Sequence, residues 1–335
     1  MSGDSLPRLL LSRRFISFEE LAALVVAWDF DFHQLSKNYS DTALEQVQAG
    51  NILFSHLSCG CFSTHAGGTP KGMYTIGLSD AGCSEFRYFD HPVDRPVLLV
   101  RAPGQEFEVI ARPGYRIFTF SIAQPIFEAY CETNLDTSSG RLLDKGEQMI
   151  PITPEVAMNL RGMALDLRSL ARLLPDSSAE FTPVQSVETR LLENLVRALD
   201  QHGCTTNEPG TAARSRIFRR AREVIRDHPH ERLNVRDLAA ALSTTERTLE
   251  RVFIREIGIS PKKFLFGRRM YGAHRQLWHS TSSETSVADI ANAWGFWHMG
   301  QFAKDYRRLF GELPSETLSR SGTTQLPEHA FPPGL

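Results

Sequence analysis

Between residues 234 and 311 one short helical unit is written twice. Asn234 with Asp237, and again Ser286 with Asp289, set a capping side chain three residues ahead of an acidic one at the head of a short apolar-periodic segment. Leu238, Ala239 and Leu242 form the stripe of the first copy, and Ile290 and Ala291 that of the second, with Ala239 and Ala291 at equivalent places. A break follows in each. In the first copy Ser243-Thr244-Thr245-Glu246 reads as a capping box opening the next helix, and in the second Gly295-Phe296 makes the turn. The second helices turn Leu249, Val252 and Phe253, and then Phe302, Tyr306, Leu309 and Phe310, inward. Two short helices joined by about three residues are a helix-turn-helix unit, and small alanines suit the close crossing of its helices.

A longer helix joins the copies. It opens at Ser260-Pro261, where proline suits the first helical position, and runs through Phe264, Leu265, Arg268, Arg269, Met270, Ala273 and Leu277. A helix with Ile217, Ala221, Val224 and Ile225 on one stripe precedes the first copy, and Gly311 and Pro314 close the last. Charge follows the same division. Residues 211–320 hold 20 basic and 12 acidic residues, net +8, whereas the rest of the chain holds 17 and 27, net −10. A basic, arginine-rich end beside an acidic remainder points to nucleic acid as one partner.

Gly258-Ile259-Ser260-Pro261, Arg269-Met270-Tyr271-Gly272-Ala273, and Ile290-Ala291 followed by Gly295-Phe296, Phe302, Tyr306-Arg307-Arg308 and Phe310-Gly311-Glu312-Leu313-Pro314 resemble the DNA-binding domain of the AraC/XylS family. The resemblance covers about a third of the chain. It implies seven helices, two helix-turn-helix units joined by a long helix, and recognition helices in successive major grooves of double-stranded DNA. It places Arg247, Glu250 and Arg251 of the first recognition helix, and Met299, Gly300, Gln301 and Lys304 of the second, against bases. Arg255, Lys262, Lys263, Arg307 and Arg308 are read as phosphate contacts. Glu250 is open between accepting from a cytosine amino group and pairing with a nearby arginine. The sequence departs from the family pattern at Ser243, where the first turn often has glycine, and at Thr317, where an aromatic residue often stands.

The remainder reads as α+β. Residues 1–15 are expected as a flexible lead, with a helix from Ser17. From residue 51 to 121 short apolar runs alternate with Gly67-Gly68, Asp80-Ala81-Gly82, Pro103-Gly104 and Pro113-Gly114, the pattern of antiparallel strands in a small barrel or sandwich. Helices are expected over 153–174 and 184–199, the second with Val187, Leu191, Leu195 and Leu199 either as a dimer seam or as a cover on the barrel. The division expected is a cupin-like β-barrel sensor domain with flanking helices over 1–202, a linker over 203–213, an all-α DNA-binding domain over 214–320 and a disordered tail over 321–335. The family arrangement puts effector binding or dimerisation in the first of these. Phe54, Phe62, Tyr74, Phe107 and Phe118, with Phe86, Tyr88 and Phe120, are candidate walls of an effector pocket at the barrel mouth, with packing in the core as the alternative, and favoured, reading of each.

The family further implies an effector-responsive activator of a nearby catabolic or metabolic operon, with RNA polymerase as a partner and a homodimer as a frequent form. No apolar run is long enough to span a bilayer, and Leu9–Leu11 is too short for a signal peptide, so the expected location is the cytoplasm. Cys59, Cys61, Cys83, Cys131 and Cys204 show no framework spacing. Cys59 and Cys61 with His65 and Cys83 leave a metal or redox sensor as one alternative, and an enzyme fused to a DNA-binding module as another. No catalytic triad, phosphate loop, carboxylate pair or metal set stands out, so no cofactor, metal or catalytic residue is assigned.

Overall fold

The computed structural model describes residues 8–15, 18–25, 28–37, 42–79, 86–88, 91–93, 95–134, 148–173, 183–202, 216–228 and 232–320. Ser17, Cys83, Cys204, the expected linker and the expected tail lie outside them. The amino-terminal part is rich in strand: β1 (Arg8–Arg14), β2 (Asp29–Gln34), β3 (Ala43–Ala49), β4 (Ile52–Cys59), β5 (Ser63–Gly68), β6 (Met73–Ser79), β7 (Phe86–Tyr88), β8 (His91–Val93), β9 (Val97–Arg101), β10 (Glu106–Ala111), β11 (Tyr115–Ala123) and β12 (Gln148–Pro151). Helix α1 (Phe18–Leu24) lies between β1 and β2, α2 (Gln124–Asn134) follows β11, and α3 (Pro154–Leu173) and α4 (Pro183–His202) follow β12.

The strands form two open antiparallel sheets. The first runs β1-β3-β4-β11-β6-β9-β12 and the second β2-β5-β10-β7-β8. Among the described residues neither closes on itself, so the expected barrel takes the form of two facing sheets. Residues 1–15 are not all a loose lead: Arg8–Arg14 pairs antiparallel with β3. A register shift between Leu9 and Leu11 turns these two leucines toward different cores.

The first sheet is covered on both faces, which explains why β11 shows no polar–apolar alternation. Phe118, Phe120 and Ile122 point outward with Phe54 and Ile76 and pack beneath Leu160, Leu167, Leu191, Leu195 and Leu199 of α3 and α4. The leucine stripe of α4 therefore covers the sheet. Tyr115, Ile117 and Thr119 of the same strand point the other way, into the space between the sheets.

The carboxy-terminal part is helical: α5 (Arg216–Asp227), α6 (Val235–Ala241), α7 (Glu246–Ile257), α8 (Pro261–His279), α9 (Val287–Ala293), α10 (Met299–Phe310) and α11 (Pro314–Arg320). It packs on the outer face of the second sheet. Leu35, Phe62 and Ile110 enter one core with Phe218, Leu249, Phe253 and Phe264. Gln34 Nε2 donates to the carbonyl of Leu309 at 2.9 Å, Arg275 pairs with Asp31 at 3.3 Å, Arg222 pairs with Glu108, and the His33 and Tyr271 rings meet edge to face at 4.9 Å.

Candidate nucleic-acid interface and inter-sheet cavity

The two helical units repeat in backbone detail. Asn234 and Asp237 cap α6 reciprocally, as Ser286 and Asp289 cap α9. In the first turn Ser243 N–H donates to Ala240 O and Thr244 N–H to Ala239 O; in the second, Gly295 N–H donates to Asn292 O and Phe296 N–H to Ala291 O. Ser243 stands at φ +50° and Gly295 at φ +79°. The turn requires a left-handed residue, which glycine adopts freely and serine only under strain. The expected Ser243–Glu246 box is corrected. Thr245 is the N-cap, its hydroxyl accepting from Thr248 N–H at 3.1 Å, because the left-handed turn ends one residue later than a box starting at Ser243 would need. Gly258 and Gly311, at φ +78° and +81°, close α7 and α10.

Two contacts fix the second copy, one to the joining helix and one to the first copy. Trp294, at the C-cap of α9, lays its ring against Gly272 of α8 and donates from Nε1 to Gln276 Oε1 at 2.8 Å. Arg232, just ahead of α6, reaches the carbonyl of Asn292 at 2.9 Å and stacks over the exposed Trp297 at 4.8 Å. Its charge sits at the C-terminal end of α9, where a cation is favoured. A buried polar chain holds α10 against its neighbours. His274 Nδ1 and Tyr306 OH are 2.5 Å apart, Tyr306 OH and Thr317 Oγ1 2.7 Å, and Thr317 donates to Glu312 Oε1 at 2.5 Å. Thr317's single proton goes to the carboxylate, so Tyr306 donates to Thr317 and accepts from a His274 carrying its proton on Nδ1. Threonine here completes a polar chain where an aromatic residue was the family expectation.

Arg247, Glu250 and Arg251 are exposed on α7 and make no ion pair or hydrogen bond among the described residues. Glu250 is thus not held by a neighbouring arginine. Ile254, 48% exposed, continues the same face one turn on. On α10, Gly300, Gln301 and Lys304 are exposed, whereas Met299 is partly buried against the core. Among the residues read as phosphate contacts, Lys262, Lys263 and Arg307 are exposed, Arg255 pairs with Glu256 at 2.6 Å, and Arg308 pairs with Asp305 at 2.6 Å. Sequence reasoning missed Arg232 and Trp297 as partners, because sixty-odd residues of chain separate them and neither sits on a helix stripe.

The second feature is a cavity of about 60 Å³ between the sheets. Of the expected wall residues, Phe107 and Tyr88 line it. The others are corrected. Phe54, Tyr74, Phe118 and Phe120 lie on the opposite face of the first sheet, under α2–α4, and Phe62 packs against the helical part. The side chain of Phe86 lies outside the described set. Large rings fill the side packed against helices, and a void persists where the side chains are short: Ser55, Thr75, Gly77 and Thr119. Gln46, His65 and Arg101, none of them expected as a wall residue, also line it. His65 is fully buried, 2.9 Å from Ser63 Oγ and 3.8 Å from Cys59 Sγ, and burial pushes its pKa down to about 3. Burial pushes the Cys61 thiol up to about 12. Among the described residues no three His, Cys, Asp or Glu side chains are grouped to hold a metal, and no helix is long and apolar enough to cross a membrane.

A helix-turn-helix domain family matches residues 238–320. The XylDLEGF operon transcriptional activator 3 of Pseudomonas putida is 29% identical over 181 residues, 52% of this chain and 51% of that one. The regulatory protein HrpB of Ralstonia nicotianae is 33% identical over 111 residues, 33% of this chain and 23% of that one. The crystal structure of the AraC-like transcriptional activator CuxR overlaps 81% of this chain and 95% of its own at 13% identity and a TM-score of 0.39. The chain spans about half the length of the first of these relatives.

Proposed function

We propose that the chain is a regulator of the AraC/XylS type, which binds double-stranded DNA sequence-specifically and activates transcription in response to a small effector; the helix-turn-helix match over residues 238–320 and the likeness to the XylDLEGF operon activators support this reading. The observation that carries this reading is the turn repeated bond for bond in two helical units, each presenting an exposed second helix. In the first, Arg247 and Arg251 are one turn apart, and a guanidinium can donate two hydrogen bonds to one guanine edge. Gln301 and Lys304 supply the corresponding surface of the second. Lys262, Lys263 and Arg307 take phosphates, with Arg255 and Arg308 exchanging an acidic neighbour for one.

The two-sheet body is proposed as the cupin-like effector domain. Its second sheet is a wall with two occupied faces. On β2 Phe32 lines the cavity, while Asp31, His33 and Gln34 hold the helical part. On β10 Phe107 and Val109 line the cavity, while Glu108 and Ile110 meet α5 and its core. A ligand that favours one position of this wall shifts the balance between two arrangements of the helix-turn-helix pair. Contact with RNA polymerase, a cytoplasmic location and a homodimer belong to the same proposal. The α4 leucines are spent on the sheet, so a dimer seam lies elsewhere.

The test is fluorescence anisotropy of the full chain on DNA tiled across the region upstream of its neighbouring genes, at several salt concentrations. One tile is expected to bind at least 1,000-fold more tightly than scrambled DNA, with affinity falling steeply with salt. Equal affinity for all duplexes rejects sequence-specific binding.

A further inference from the structure

The head of the second recognition helix is short of polar readers. Aligned by their N-caps, Thr245 of α7 and His298 of α10, Arg247 matches Gly300 and Arg251 matches Lys304. Gly300 has no side chain, and nothing lies within 4 Å of the point where a Cβ would stand. Met299 is partly buried against the core, and Gln301 is turned to Asp305, donating from Nε2 to Oδ2 at 2.9 Å. Of the four residues set against bases, Lys304 is therefore the only exposed cation, where the first unit presents two arginines.

The second turn is also one residue longer. Phe296 matches Thr244, each N–H donating to the carbonyl of the equivalent alanine, yet the N-cap follows Thr244 directly and Phe296 only after Trp297. The additional residue is 62% exposed. A lone exposed apolar side chain needs no explanation, but this one is held in place. The Arg232 guanidinium lies 4.8 Å from the ring centroid and is itself anchored, Nη2 donating to Asn292 O at 2.9 Å and Nε to Ala293 O at 3.4 Å. Arg232 precedes α6, so the first unit fixes a ring that belongs to the second. A side chain ordered in advance loses little freedom when it docks.

Resting on the DNA-binding reading above, we infer that Trp297 is a specificity-determining residue that reads the C5 methyl of a thymine in the major groove, with Arg232 as its positioning residue. That methyl is the one methyl group the four bases display there. The indole stands at the head of the helix, beside the open place at Gly300, where a base edge can approach. Guanine, read in the first unit by guanidinium, has no matching arginine here. Docking on sugar or phosphate would be blind to sequence, and a protein partner for the ring would leave base choice untouched.

The test is fluorescence anisotropy of the full chain on the preferred duplex of the DNA titration, with each thymine in turn replaced by deoxyuridine, which removes only the methyl. At one thymine or more the replacement should weaken binding about 3- to 5-fold, the worth of one buried methyl. In Trp297→Ala that replacement should no longer matter. Trp297→Phe, which keeps a ring and guards against a folding defect, should retain the preference. Arg232→Ala should shrink the thymine-to-deoxyuridine ratio at that position, whereas loss of a phosphate contact would weaken both duplexes alike. A preferred duplex insensitive to demethylation overturns the assignment. So does one whose every sensitive thymine stays equally sensitive in Trp297→Ala, which leaves the indole to the DNA backbone or to a protein. An unchanged ratio in Arg232→Ala overturns its positioning role. These outcomes leave sequence-specific binding standing; absence of any preferred duplex overturns both readings together.

Discussion

Replacing Gly272 by alanine sets two effects of known size against each other. Gly272 is inside α8, where alanine is favoured over glycine by about 1 kcal/mol. The added methyl, however, would stand 2.6 Å from Trp294 Cζ2 and closer still to Cη2 and Cζ3, whereas carbon atoms rest at about 3.5–4.0 Å. The ring would have to retreat by about 1 Å. It is held at the C-cap of α9 and by the 2.8 Å bond to Gln276, so it cannot swing away without loosening that bond. Overpacking of this kind costs about 1–3 kcal/mol and a weakened hydrogen bond about 0.5–1.5. The net expectation is destabilisation by about 1–2 kcal/mol, the clash outweighing the helical gain. Urea unfolding of the full chain followed by tryptophan fluorescence reads it, with Gly162→Ala in α3 as the control. No atom lies within 4 Å of a methyl at Gly162, so there the same substitution should stabilise by up to about 1 kcal/mol. A Gly272→Ala chain as stable as the parent refutes the packing argument.

Tyr306→Phe keeps the ring but breaks the His274–Tyr306–Thr317 chain, and should lower stability by about 1–3 kcal/mol in the same assay; a loss under about 0.5 kcal/mol would show that the chain contributes little. His65 stays neutral in the fold and protonates when unfolded, so between pH 6.5 and about 3 the unfolded state binds one more proton. Its contribution is complete above pH 6.5 and is lost as pH falls, by about 1.4 kcal/mol per unit; His65→Phe should flatten that slope, and a parallel profile would exclude the assignment. Arg251→Ala should cost about 1–3 kcal/mol on the preferred duplex and relax choice at one base. Arg308→Ala should weaken all duplexes alike and lower the salt slope by about one. An unchanged preferred-to-scrambled ratio in Arg251→Ala makes that residue surface charge.

The duplicated helical units were legible because each of their signals is local. A cap, a small crossing residue, a turn and an amphipathic stripe all lie within about two helical turns of one another. Even there, placing the cap at Thr245 needed the backbone, since Ser243 is spent on the left-handed turn. The sheets were legible only as strands. Edge strand β1 hid in a leucine run beside arginines, and β2 and β3 preceded the stretch where turn residues are dense. The choice of cavity wall went astray at Phe54, Tyr74 and Phe118 because both faces of the first sheet are buried, so alternation no longer distinguishes inside from outside. Aromatic residues mark filled space. Gln46, Ser55, Thr119 and Arg101 meet only through strand register, which no single stretch of chain displays.

The cavity is bounded by two sheets with different obligations. The floor that carries Gln46, Ser55, Thr119 and Arg101 belongs to a sheet whose other face rests on α2–α4. The wall that carries Phe32 and Phe107 belongs to the sheet gripped by α5, α8 and α10. Substitutions on the floor can therefore reshape the cavity without touching the contacts to the helical part, whereas substitutions on the wall bear on both at once. Under the effector reading proposed above, variation in what the cavity accepts has room on one side of the chamber, and selection for a working switch bears on the other.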